Sequence, residues 1–147
     1  MRSQSCLRTN TQDAMHPDVL HGIGTVDLTV TPEMTATLDG KEIHRVYSTF
    51  WLAYHAEVAA RRAIEPFFEA DDNAVGIGLE IKHLAMAAIG AHVRVTATVC
   101  SVEGRAIRCA IDARVIPSGT VIATGTQDQI VLPSHVLSDK ASKALTT

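Results

Sequence analysis

The apolar residues of this chain switch to a helical period only once, and that single interval constrains the fold more than any other feature. Across residues 50–68, Ala53, Ala56, Ala60, Ala63, Ile64 and Phe67 recur at three- and four-residue steps, while Arg61, Arg62, Glu65 and Glu69 gather on the other side. That spacing predicts one amphipathic helix, ended or weakened by Pro66 and the Asp71-Asp72-Asn73 cluster. Elsewhere the period is two. Val26, Leu28 and Val30 alternate with polar residues over 22–31, until Pro32 stops the strand. Asp39-Gly40 reads as a loop, followed by a short link through residues 46–49. Val75, Ile77, Leu79 and Ile81 alternate with Gly76, Gly78, Glu80 and Lys82. Residues 92–102, 107–115 and 120–132 complete three more strands, with Glu103-Gly104 and Pro117-Ser118-Gly119 as turns. A lone helix with so wide an apolar face needs a sheet to cover it, and strands joined this tightly run antiparallel. The fold class is therefore α+β: an antiparallel β-sheet wrapped around one long central α-helix, with no βαβ alternation and no nucleotide-binding unit.

A length of 147 residues suits one domain. We place it at residues 21–133, between a disordered N-terminal tail (1–20) and a polar C-terminal tail (134–147) that frays. The formal net charge of −3, without a basic run, argues against nucleic acid or an anionic membrane as the main partner. No apolar run is long enough to span a membrane, and the first residues lack the apolar core of a secretion signal. Cys6, Cys100 and Cys109 make no C-x-x-C pair and no metal-ligand spacing, so they read as reduced thiols of a cytoplasmic protein. Cys100 and Cys109 flank a hairpin and read as packing residues, neighbours across it. No metal or cofactor is expected.

Function must come from residues that break the pattern. Glu57 projects from the apolar stripe of the helix, so its carboxylate needs either a structural partner or a cavity. His83 ends the strand in the phase of Ile77, Leu79 and Ile81; alone it reads as a satisfied rim histidine. Together, an inward carboxylate from the helix and an inward imidazole from the returning strand form an acid/base arrangement. Thr49 stands just before the helix, where it competes with Ser48 for the N-cap. A hydroxyl there also sits beside free backbone N–H groups able to stabilise an oxyanion. Gly76 and Gly78, inside a strand, mark a close approach to the backbone. His55 falls off the stripe and is expected at the surface.

The stretch VYSTFWLAYHAEVAARRAIEPFFEADDNAVGIGLEIKHLAMAAIG, with SVEGRAI and ATGTQDQ further on, resembles the fluoroacetyl-CoA thioesterase type of hotdog protein. The similarity runs over residues 20–133, without a gap over 46–104. It implies the hotdog fold and hydrolysis of an acyl thioester. It also implies catalytic roles for a Thr before the helix, a Glu two turns inside it and a His late in the next strand, here Thr49, Glu57 and His83. It further implies a strand glycine near the acyl group, here Gly76. Two positions depart from the family: Gln129 stands where an Arg is usual, and Ile43 where an aromatic gate is usual. The expectation is thus a small acyl-CoA substrate rather than fluoroacetyl-CoA in particular, with Phe50, Trp51 and Tyr54 narrowing the pocket. The resemblance also implies a homodimer formed edge to edge, with the CoA arm entering near the interface. Two alternatives on the same architecture are a non-catalytic acyl-CoA binding module and an enoyl-CoA hydratase relative.

Overall fold

The computed structural model describes residues 15–145. Its elements run β1 (Ile23–Thr29), β2 (Thr35–Leu38), β3 (Lys41–Tyr47), α1 (Thr49–Ile64), β4 (Asp72–His83), β5 (His92–Glu103), β6 (Ala106–Ile116), β7 (Val121–Pro133) and α2 (Ser134–Ala144). Five strands form an antiparallel sheet in the order β1-β5-β6-β7-β4, while β2 and β3 pair separately as a hairpin. The sheet curls around α1. Its inner face carries Val93, Val95, Ala97 and Val99 from β5 and Ile107, Cys109, Ile111 and Ala113 from β6, all buried. Each large aliphatic side chain removed from water there stabilises the fold by about 1.5–3 kcal/mol.

Small residues let α1 come close to the sheet. Ala56, Ala59, Ala60 and Ala63 form its buried stripe. Opposite them, a Cβ on Gly22 would collide with the Ala63 carbonyl oxygen, and one on Gly24 with that of Ala59. The helix is therefore seated against β1 backbone to backbone.

Strand β4 behaves differently. Gly76 is level with Gln129 and Gly78 with Asp128, so Ile77 is an extra residue, a β-bulge. A bulge reverses the facing of every residue beyond it. Strict alternation would put Val75, Ile77, Leu79, Ile81 and His83 on one face and Gly76 on the other. Instead Ala74 and Gly76 face inward before the bulge, and Leu79, Ile81 and His83 face inward after it, opposite Gln127, Gly125 and Ala123 of β7. Gly76 and His83 thus share the face that looks at the helix.

Several expectations are revised. The stretch after Pro32, expected as a loop and a short link, contains the β2–β3 hairpin, whose two-residue turn at Asp39-Gly40 has positive φ at both positions (52° and 75°). Helix α1 stops at Ile64, because Pro66 has no N–H to give to the Arg62 carbonyl, and a single 3₁₀ turn continues to Phe67. His55 is not at the surface. It is 7% exposed, and it belongs to the stripe of Leu52, Ala56 and Ala59 by ordinary helical spacing. The two cysteines of the β5–β6 hairpin face opposite sides by strand alternation: Cys109 is buried, level with inward Val99, and Cys100, the next residue, is exposed. Residues 134–144 are helical rather than frayed: α2 packs on β7 and β4, with the Ser134 N–H bonded to the Asp71 carbonyl at 2.7 Å. The tail expected over residues 1–20 and Cys6 lie largely outside the described residues, but Met15 and Val19 are already buried. Among the described residues no helix is long and apolar enough to cross a membrane.

Candidate active site

The first half of the site is built at the N-terminus of α1. Ser48 takes the N-cap, its Oγ accepting the Trp51 N–H at 3.1 Å. That leaves the Thr49 hydroxyl free, and it lies 3.0 Å from His83 Nδ1. By position, the Thr49 and Phe50 N–H groups have no acceptor inside the helix. Burial lowers the His83 imidazole below its ordinary pKa, with the Ala85 backbone opposing part of the shift. The ring is therefore neutral near pH 7 and able to accept a hydroxyl proton. Its Nε2 is buried and unpaired among the described residues. A cavity beside this pair is lined by Thr49, His83, His44, Val46, Tyr47 and Met86, among others.

Beneath this corner, the Tyr47 hydroxyl lies 2.6 Å from His55 Nδ1, both residues being buried. Burial raises the phenol and lowers the imidazole, so both are neutral. The pair ties the end of β3 to α1 nearly two turns beyond Thr49.

The second half lies farther along the helix. Glu57 reaches toward β7, where Gln127 Nε2 donates to its Oε2 at 3.0 Å. Gly76 faces the same carboxylate: a Cβ there would stand 2.9 Å from Glu57 Oε2. Gln129 lines the same groove, but its own amide donates to the Ala60 carbonyl at 3.0 Å.

The residues singled out in the sequence are thus grouped in two places. Thr49 pairs with His83, and Glu57 with Gly76; the hydrogen bond of Glu57 runs to Gln127 and that of His83 to Thr49. Ile43 is half exposed on the β2–β3 hairpin, while its neighbour His44 lines the Thr49–His83 cavity. Phe50 points outward, its ring edge-on to Trp51 at 6.0 Å. Gln127 was missed. Its signal was the odd-numbered inward phase of β7, shared with Ala123, Gln129 and Val131, which leaves two amides among apolar neighbours.

A family model described as fluoroacetyl-CoA-specific thioesterase matches residues 30–135. The chain belongs to that family. A Thermus thermophilus hypothetical protein, described as a thioesterase superfamily member, superposes with a TM-score of 0.84 at 30% identity, covering 89% of this chain and 96% of that one. A mutant of the fluoroacetyl-CoA-specific thioesterase FlK gives 0.75 at 25% identity, covering 85% and 96%. A hot-dog-like protein from Thermanaerovibrio acidaminovorans shares the fold, with a TM-score of 0.74 at 24% identity over 86% and 95% of the two chains. No curated protein sequence matches significantly. Family membership makes the chain a thioester hydrolase with the hotdog fold.

Proposed function

We propose that the protein hydrolyses a small acyl-CoA thioester through an ester intermediate on Thr49. The observation that carries this reading is the 3.0 Å approach of the Thr49 hydroxyl to a neutral His83 at the open end of a helix. It is the geometry of a nucleophile beside its base. Thr49 Oγ attacks the thioester carbonyl and its proton passes to His83. The oxyanion forms against the helix N-terminus. As the C–S bond breaks, His83 returns the proton to the sulfur and CoA leaves as the free thiol. Water then cleaves the ester, with Glu57 as the base.

The two halves of the site meet in a homodimer. Strand β4 is an edge of the sheet, and Val75, Ile77 and Leu79 on it are 41%, 58% and 39% exposed, with Leu84 and Met86 exposed beyond its end. An edge so apolar invites pairing with another strand. A second copy, paired antiparallel about a two-fold axis near the middle of β4, lays the Thr49–His83 end of one chain beside the Glu57–Gly76 segment of the other. The CoA arm then enters along the shared seam. Phe50 and Tyr54 are exposed and, like Trp51, line no part of the Thr49–His83 cavity, so the preference for a small acyl group rests on the two-carbon fluoroacetyl group by which the family is described. Free Cys100 and Cys109 fit a cytoplasmic setting.

Thiol release measured across acetyl, haloacetyl, branched, aromatic and long-chain CoA esters tests the proposal. Turnover confined to small acyl groups, and lost in H83A, is expected. Binding without release of thiol would reduce the site to a binding module, and consumption of an enoyl-CoA without thiol release would make it a hydratase.

A further inference from the structure

We propose that Gln127 is a positioning residue that holds the Glu57 carboxylate toward the hydrolytic water for the second half of the reaction. The inference rests on the thioesterase reading above and deepens it. Gln127 projects from β7 into the interior and is 1% exposed. A buried amide is destabilising unless both of its ends are bonded. Its neighbour Gln129 directs its Nε2 to the scaffold, donating to the Ala60 carbonyl at 3.0 Å with Cys109 Sγ at 4.0 Å. Gln127 instead gives its Nε2 to a carboxylate that the mechanism uses, while its Oε1 is buried and has no hydrogen-bond partner among the described residues.

The orientation of this amide is forced. Turned over, it would set its carbonyl oxygen against the carboxylate of Glu57. Glu57 keeps Oε1 free of that bond, and Gly76 supplies the room, since a Cβ there would approach Glu57 Oε2 to 2.9 Å and Gln127 Nε2 to 3.5 Å. The result is a Glu57 carboxylate fixed through its Oε2, with Oε1 left to accept a proton from a water molecule that presents a lone pair to the acyl-Thr49 carbonyl. In the step, the water oxygen bonds to the acyl carbon and one of its protons moves to Glu57. The ester C–O bond breaks, and Glu57 passes that proton to Thr49 Oγ. The acid product carries away the other proton.

Because Gln127 acts on water and not on the thioester, its loss must slow deacylation and spare acylation. In Q127M, kcat should fall about 10²-fold while kcat/KM stays within about threefold. A burst of one thiol per site should appear, with the acyl group found on Thr49 by intact mass. Hydroxylamine, which needs no base, should restore turnover in Q127M more than it speeds the wild type. Q127E, of equal size but without the donor, should show the same burst. Loss of kcat and kcat/KM together in these variants, or loss of neither, overturns the assignment. Should the wild type itself release no thiol from any acyl-CoA, the thioesterase reading fails first, and the two failures are told apart.

Discussion

Helix α1 meets both edges of the sheet at glycines, for opposite reasons. At β1, Gly22 and Gly24 make room for helix backbone, the carbonyl oxygens of Ala63 and Ala59. At β4, Gly76 makes room for the tip of one side chain, the Glu57 carboxylate. A backbone oxygen cannot retreat without moving the helix, whereas a carboxylate swings aside at little cost. The first edge is closed packing and carries stability. The second is an open groove lined by polar groups, and in the proposed mechanism it carries the chemistry. A glycine in a strand therefore says that something comes close; the partner decides whether it holds the fold or serves the site.

The sharpest way to test the chemical side is E57Q. Without a base for the water, kcat should fall on the order of 10³-fold, with Thr49 trapped as its acyl ester and the melting temperature nearly unchanged. An E57Q enzyme that neither slows nor accumulates the ester would show the β4 groove to be packing like the other edge. G24A probes the opposite side. Its Cβ drives into the helix backbone, so a loss of about 3 kcal/mol or more is expected in denaturant unfolding. The activity per folded molecule should survive. G76A should invert that result, with stability within about 1 kcal/mol of wild type and turnover reduced roughly 10-fold or more, since the carboxylate must shift away from Gln127. Equal effects of the two alanines on stability would erase the distinction.

The two half-sites allow a test across chains. E57Q and H83A homodimers should each be nearly inactive. Unfolded together and refolded, half of the dimers are mixed, and each mixed dimer carries one intact composite site. Roughly a quarter of wild-type activity should return by this two-fold counting. No recovery would mean that Thr49, His83 and Glu57 work within one chain.

Much of this was legible before any coordinates. The lone helical interval, the strands after it and the inward setting of Glu57 and His83 follow from side-chain period, because burial imposes that period. What escaped the sequence was whatever depends on one extra residue or on a partner across space. The bulge at Ile77 is invisible in a pattern that alternates perfectly through it, yet it decides that Gly76 and His83 share a face. The Asp39-Gly40 turn carried its hairpin signal, but the polar strands beside it did not, since β3 is exposed over most of its length. Ser48 and Thr49 were equivalent as caps until the helix chose one.

The smallest effect concerns the closed side beneath the helix end, where Tyr47 and His55 share a buried hydrogen bond of 2.6 Å. Burial depresses the folded-state pKa of His55, as it does that of His83. Between the ordinary imidazole value and the depressed one, the unfolded chain binds more protons than the folded one, so stability rises with pH across that window. It is fully present above about pH 6.5, the unfolded value, and declines as the pH drops toward the folded values. Y47F removes the hydroxyl and leaves a buried imidazole nitrogen unsatisfied, at a cost of about 1–3 kcal/mol. If this pair is scaffolding only, Y47F should lower the melting temperature at every pH while the pH dependence of kcat/KM, set by His83, keeps its shape. A shifted acid limb in Y47F would instead make the Tyr47–His55 pair part of the electrostatics of the Thr49–His83 corner, and the boundary between the closed and open sides would have to be redrawn there.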